Sequence, residues 1–195
     1  MNARPQALYI MGTMGTGKST FMDEVLLRLG AELGPLTELE EGRNSRGSRI
    51  RLRGHLGEDL AYIGKRREKH PGQDGLDRAS PALLGPWLKS GRAPGMIVTE
   101  GELFATQGCM GAFAEYTDFL VVLLTAEEWL LDLRFRNRGT NQPWRMVHTL
   151  TTRAENGAAM QTARGGAVLR VDSGDPEAWE RALRAAVDHL EGDLL

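Results

Sequence analysis

A three-layer α/β fold around a mainly parallel central sheet is the class this sequence predicts, and three observations carry it. Four apolar runs, at 7–11, 95–101, 118–124 and 167–171, have the length and continuity of strands buried on both faces. They alternate with segments of helical periodicity. The first run leads straight into Gly12-Thr13-Met14-Gly15-Thr16-Gly17-Lys18-Ser19-Thr20, a Gly-x-x-x-x-Gly-Lys-Ser phosphate-binding loop complete at every fixed position. A helix over 19–29 follows it, so strand, glycine loop and helix N-terminus stand in the order that builds an anion site.

At 195 residues, 41% hydrophobic and 26% charged, the chain is expected to form one domain over 1–195 with a substantial core. No apolar run approaches the roughly 18 residues a membrane helix needs. The opening residues run directly into the first strand, so the expectation is no secretory leader and a cytoplasmic location. The single cysteine, Cys109, excludes an internal disulfide and reads as a packed helix residue. A net charge of −2 hides an asymmetry. Nine basic residues from Arg43 to Lys69 face three acids, and five arginines from Arg134 to Arg153 face none. The acids gather at 38–41 and in the C-terminal helix. A like-charged stretch alone is a solvated face; two of them beside a phosphate loop suit a polyanionic partner, nucleic acid included.

In chain order, residues 30–47 are polar and glycine-rich and read as a connection without an element. Arg49-Ile50-Arg51-Leu52-Arg53 alternates with period two, one face apolar and the other all arginine, and 60–64 follows closely enough to pair with it as a hairpin. Residues 65–75 read as an irregular polar loop of the kind that carries substrate contacts, completing a basic substrate region over about 43–78. Ser80 and Pro81 mark a helix start, Ser80 as N-cap, with a stop at Gly91. Next come the strand ending in Glu100 and Gly101, a helix over 103–116, the strand 118–124 and a helix over 126–135. After a break at 137–143 the pattern gives a helix over 144–163, the last strand and a closing helix over 176–190. Ligands of such sheets lie at the carboxyl ends of the strands, where Gly12, Glu100 and Asp172 converge.

The loop motif calls for a nucleoside triphosphate with Mg²⁺: Lys18 for the β- and γ-phosphates, the Ser19 hydroxyl for the metal. The Asp-x-x-Gly switch and Asn-Lys-x-Asp base reader of regulatory GTPases are missing, and only the 95–101 strand closes on an acid. A small phosphotransferase remains. Glu100 could hold Mg²⁺ or accept the proton of an acceptor hydroxyl. Asp74 and Asp77 are second acids for chemistry, or turn formers. Arg134 and Arg138 share a helix face ahead of the 137–143 break, which gives a lid-like segment over about 134–145 with arginines for the transferring phosphoryl group. Asp172 to Asp175 could close on adenine, or Asp175 could cap the helix at Pro176. His70 and His148 have no partner suggested by spacing, and no Cys or His cluster has metal-ligand spacing.

On the loop 12–20, the acid in Thr99-Glu100-Gly101 and the arginines before Trp144, the chain resembles the thymidylate-kinase-type P-loop kinases. On His70-Pro71-Gly72-Gln73-Asp74-Gly75-Leu76 together with Arg138-Gly139-Thr140-Asn141-Gln142-Pro143-Trp144 it resembles small phage-encoded P-loop kinases, among them the 5-hydroxymethyluracil DNA kinases. That resemblance implies ATP and Mg²⁺ as cofactors and a hydroxymethyl group on uracil in phage DNA as acceptor, a step in base hypermodification. Thymidylate kinases also carry an arginine close after the strand acid, and Glu100-Gly101-Glu102-Leu103 has none. The expectation is therefore a DNA kinase. The alternatives are a kinase of free deoxynucleoside monophosphates and a non-catalytic module gated by nucleotide.

Overall fold

The computed structural model describes residues 4–65 and 76–192. Its first apolar run is β1 (Gln6–Met11), paired in parallel with β5 (Met96–Glu100) on one side and β6 (Asp118–Thr125) on the other. β4 (Leu60–Ile63) and β7 (Ala167–Asp172) extend the parallel sheet at either side. β2 (Leu36–Arg43) and β3 (Arg49–Leu56) add an antiparallel hairpin beyond β4, for the order β2-β3-β4-β5-β1-β6-β7.

Helices cover both faces because successive side chains of a strand point to opposite sides. Leu8 and Ile10 share a core with Phe21 and Val25 of α1 (Lys18–Arg28) and with Leu183 and Ala186 of α6 (Pro176–Glu191). Ala7, Tyr9 and Met11 share the opposite core with α2 (Pro81–Lys89), α3 (Gln107–Tyr116) and α5 (Trp144–Ala163). Each large apolar side chain buried this way contributes about 1.5–3 kcal/mol. Arg28 forks onto both carboxylate oxygens of Glu180 at 3.0 and 2.6 Å, tying α1 to α6 and holding that carboxyl down to about 2. α4 (Glu128–Asn137) lies apart, against the phosphate loop, where Leu131 and Phe135 pack with Val147 and Met14.

The fold is the three-layer α/β class expected, and three local readings change. Residues 30–47 contain β2, which pairs along β3 with a bulge between Glu38 and Glu40. α3 begins at Gln107, with the Thr106 hydroxyl accepting from the Cys109 N–H; residues 103–106 form the turn before it. Ser80 does not cap α2. Its hydroxyl donates to the Arg51 carbonyl at 2.7 Å, and that bond across to the hairpin replaces the local one. The pairing of 49–53 with 60–64 is present as β3 against β4. Cys109 is a buried helix residue. Among the described residues no helix is long and apolar enough to cross a membrane.

Candidate active site

The loop between β1 and α1 is held open at its base by glycine. Gly12 has φ +146°, and a Cβ there would lie 2.5 Å from the Leu124 carbonyl oxygen, so no other residue fits. The Thr16 hydroxyl donates to the Thr13 carbonyl and the Thr13 hydroxyl to the Val147 carbonyl, both at 2.9 Å. Met14 packs with the α4–α5 cluster, and a Cβ on Gly15 would press on the Phe135 ring. Gly17 lies beneath Trp179, whose ring packs edge-on against Phe21 and whose Nε1 donates to Glu24 at 3.0 Å. Thr20 is exposed on the first turn of α1.

Lys18 lies across this loop. Its ammonium donates to the carbonyls of Gly12 at 2.7 Å and Thr13 at 2.9 Å, and makes an ion pair with Glu102 at 3.0 Å. That last contact is a charge contact and not an aligned hydrogen bond. The Ser19 hydroxyl donates to Glu100 Oε2 at 3.0 Å, and the Tyr62 hydroxyl donates to Glu100 Oε1 at 3.2 Å. Glu100 is 1% exposed. Burial lifts its carboxyl above the ordinary value; the Ser19 bond, the Lys18 charge and the Tyr62 bond pull the other way, and Asp23 adds to the rise. Hydroxyl and carboxylate are the hard oxygen donors Mg²⁺ takes, one or two at a time with phosphate and water completing the shell. The pair Ser19 and Glu100 fits that demand, and Lys18 at the helix N-terminus fits the phosphates. No group of three or more acidic, His or Cys side chains suited to a metal occurs among the described residues.

Arg134 is brought onto the loop. Its guanidinium donates to the Gly15 carbonyl and the Ser173 hydroxyl, both at 2.8 Å, and to the Ser173 carbonyl at 3.0 Å. It thereby ties the loop to the turn after β7. Partial burial, and next the charge of Arg138, make its proton easier to lose than that of an ordinary arginine. Arg138 itself stands exposed at the C-cap of α4. Asp175 accepts from the N–H groups of Glu177 and Ala178, so it is the cap of α6, and Asp172 accepts from Gly174 in the same turn. Asp77 accepts from the Ala79 N–H, a turn-forming role. Asp74 and His70 lie outside the described residues. The His148 ring lies tilted against that of Trp144, centroids 6.0 Å apart.

Beyond β4 the arginines of β3 line a pocket of about 400 Å³ together with Lys65, Leu76 and Asp77. Because β3 runs antiparallel to β4 with Gly54 opposite Ile63, residues 49–53 run past the carboxyl end of β4 on the edge where the loop lies. The face is not bare, however. β2 sets Glu38 within 3.2–3.7 Å of Arg49, Arg51 and Arg53, and Glu41 pairs with Arg49. Sequence spacing counted these arginines against local acids only, and the acids that answer them come from the strand it read as a connection. Glu102, Tyr62 and Trp179 were missed as well, and Ser173, read with its turn as an adenine contact, instead accepts from Arg134 at its hydroxyl and carbonyl. Each looks like an ordinary turn or core residue until the fold sets it against the loop; only the two-residue step from Glu100 to Glu102 was a usable signal.

No protein-family model matches the chain, and no curated protein matches it. Solved structures do. A protein of Chloroflexus aurantiacus J-10-fl described as a "putative kinase" is 16% identical, with 98% of this chain and 99% of that one covered at a TM-score of 0.54. A sugar kinase from Janibacter sp. HTCC2649 is 14% identical over 92% and 93% of the two chains, TM-score 0.49. Shikimate kinase from Acinetobacter baumannii is 12% identical over 98% and 96%, TM-score 0.46. The chain shares its fold with the Chloroflexus protein. At such identities the fold is what is shared.

Proposed function

We propose that this chain is an ATP- and Mg²⁺-dependent kinase, and that its acceptor is the hydroxymethyl group of 5-hydroxymethyluracil in DNA. The observation that carries the kinase reading is one juxtaposition: Lys18 on the loop carbonyls, with Ser19 bonded to the buried Glu100 at the head of α1. Bound there, Mg²⁺ would neutralise charge on the oxygens of the transferring phosphoryl group. Ser19 and Glu100 would hold it, Tyr62 fixing the carboxylate from the other side. Lys18 stabilises the phosphate charge. Arg134 fixes the Gly15 peptide, and with it the orientation of the loop's N–H groups. α4 and α5 pack against the loop at Thr13, Met14 and Gly15, and Thr13 and Thr16 are buried there.

DNA as acceptor is supported by the resemblance to the phage DNA kinases and by the arginine row leading away from the loop edge, a backbone-tracking arrangement. A base in duplex DNA would have to be flipped out to reach Lys18. One observation favours a second reading, a free deoxynucleoside monophosphate. Glu38 and Glu41 answer most of the arginine charge, and a pocket of about 400 Å³ is the size of a small-ligand site. The test supplies γ-labelled ATP, Mg²⁺ and either DNA containing 5-hydroxymethyluracil or free deoxynucleoside monophosphates. Label on the modified DNA and none on thymine DNA is the expected result. Label on mononucleotides alone would replace the DNA reading with the second one.

A further inference from the structure

A second carboxylate, Glu102, stands 3.0 Å from the Lys18 ammonium. The Lys18 ammonium donates to the Gly12 and Thr13 carbonyls, and Glu102 Oε1 makes an ion pair with it. That ammonium is where the terminal phosphates of a nucleotide bind. Gly101, at φ +112°, turns the chain after β5 so that Glu102 returns over the loop, with its side chain only 12% exposed. Oε1 has no hydrogen-bond partner among the described residues, whereas both oxygens of Glu100 accept a hydroxyl. Glu102 faces the core nearby: the wholly buried Tyr9 has its hydroxyl held protonated first by burial and next by the charge of Glu102.

Resting on the kinase reading above, we infer that Glu102 is the catalytic base, parked on Lys18 until nucleotide arrives. Phosphate oxygens then take the place of the carboxylate at the ammonium, and Glu102 is released to accept a hydrogen bond from the acceptor hydroxyl. The acceptor oxygen bonds to the terminal phosphorus as the bond from that phosphorus to the leaving ADP oxygen breaks, and the hydroxyl proton ends on Glu102. A carboxylate left beside the entering phosphates without such a task would only repel them.

The test uses the full chain as wild type, Glu102→Gln and Glu102→Asp, measuring label transfer from ATP and, separately, ADP affinity by equilibrium titration. Glu102→Gln is expected to lower transfer by roughly 10²–10⁴-fold, the range of a general base, while ADP binds at least as tightly as to wild type because the lysine no longer has a competing anion. Glu102→Asp keeps a carboxylate and is expected to transfer faster than Glu102→Gln. Transfer by Glu102→Gln within roughly threefold of wild type overturns the assignment. So does a parallel loss of transfer and ADP affinity, the mark of a damaged loop. Wild type that labels no alcohol acceptor overturns the kinase reading, and the base assignment falls with it.

Discussion

Glu100 keeps its charge in a buried position because Ser19, Lys18 and Tyr62 answer it, and they do so incompletely: the folded protein holds this carboxyl above the ordinary value of 4.5. A raised carboxyl pKa means the folded state binds its proton more tightly than the unfolded chain does. The stabilisation is therefore complete below the ordinary value and is lost as pH climbs through the raised one. Glu100→Gln is neutral throughout and has no such loss. Thermal melting of both proteins across that interval should show the variant gaining on wild type as pH rises; parallel curves would mean the carboxyl is not elevated. In activity the same change should lower turnover about 100-fold, the scale of removing one preorganised electrostatic group. Arg134 makes a different kind of contribution. Its three hydrogen bonds, all to neutral acceptors, hold the loop against the turn after β7. Arg134→Ala should lower stability by about 1–2 kcal/mol and nucleotide affinity about tenfold. Unchanged affinity would show that the loop needs no such tether.

Among the elements, the β2–β3 hairpin is where the two proposed acceptors can be told apart. Its arginines sit at the edge where the phosphate loop lies, yet Glu38 and Glu41 lie against them. Replacing both acids by glutamine should tighten DNA binding and steepen its salt dependence by roughly one to two in logarithmic slope, provided the row tracks a backbone. No change in either would favour the mononucleotide acceptor. This hairpin also marks where the sequence was hard to read. β3 was legible because Ile50 and Leu52 alternate with arginine and are buried. β2 was not: of Leu36-Thr37-Glu38-Leu39-Glu40-Glu41-Gly42-Arg43 only Leu39 is buried, a bulge interrupts the alternation, and its strand state comes from hydrogen bonds to β3 that no local pattern encodes. α5 was legible to its ends, since Pro143 and Gly165 bracket a regular apolar spacing. At 103–106, Phe104 keeps the helical spacing but is buried by a turn instead.

At the scale of the whole molecule, the site is an edge where distant parts of the chain meet. The carboxyl ends of β1 and β5 deliver Lys18, Ser19, Glu100 and Glu102. The α4–α5 pair closes on the loop through Thr13, Met14 and Gly15. The phosphate loop and Glu100 could be read in advance because one is a fixed motif and the other ends an apolar strand. The meeting of Glu102 with Lys18, of Arg134 with Ser173 and of the hairpin acids with their arginines depends on topology. A ligand that binds only the folded loop should stabilise the protein by about 2.7 kcal/mol at a hundredfold excess over its Kd. The most direct test of the central claim is an equilibrium titration of Mg²⁺–ATP into wild type, Lys18→Ala and Ser19→Ala. The account predicts saturable binding to wild type, binding weakened at least about 100-fold by Lys18→Ala, and an advantage from Mg²⁺ that disappears in Ser19→Ala. Binding that Lys18→Ala leaves intact, or no saturable binding to wild type, would contradict it.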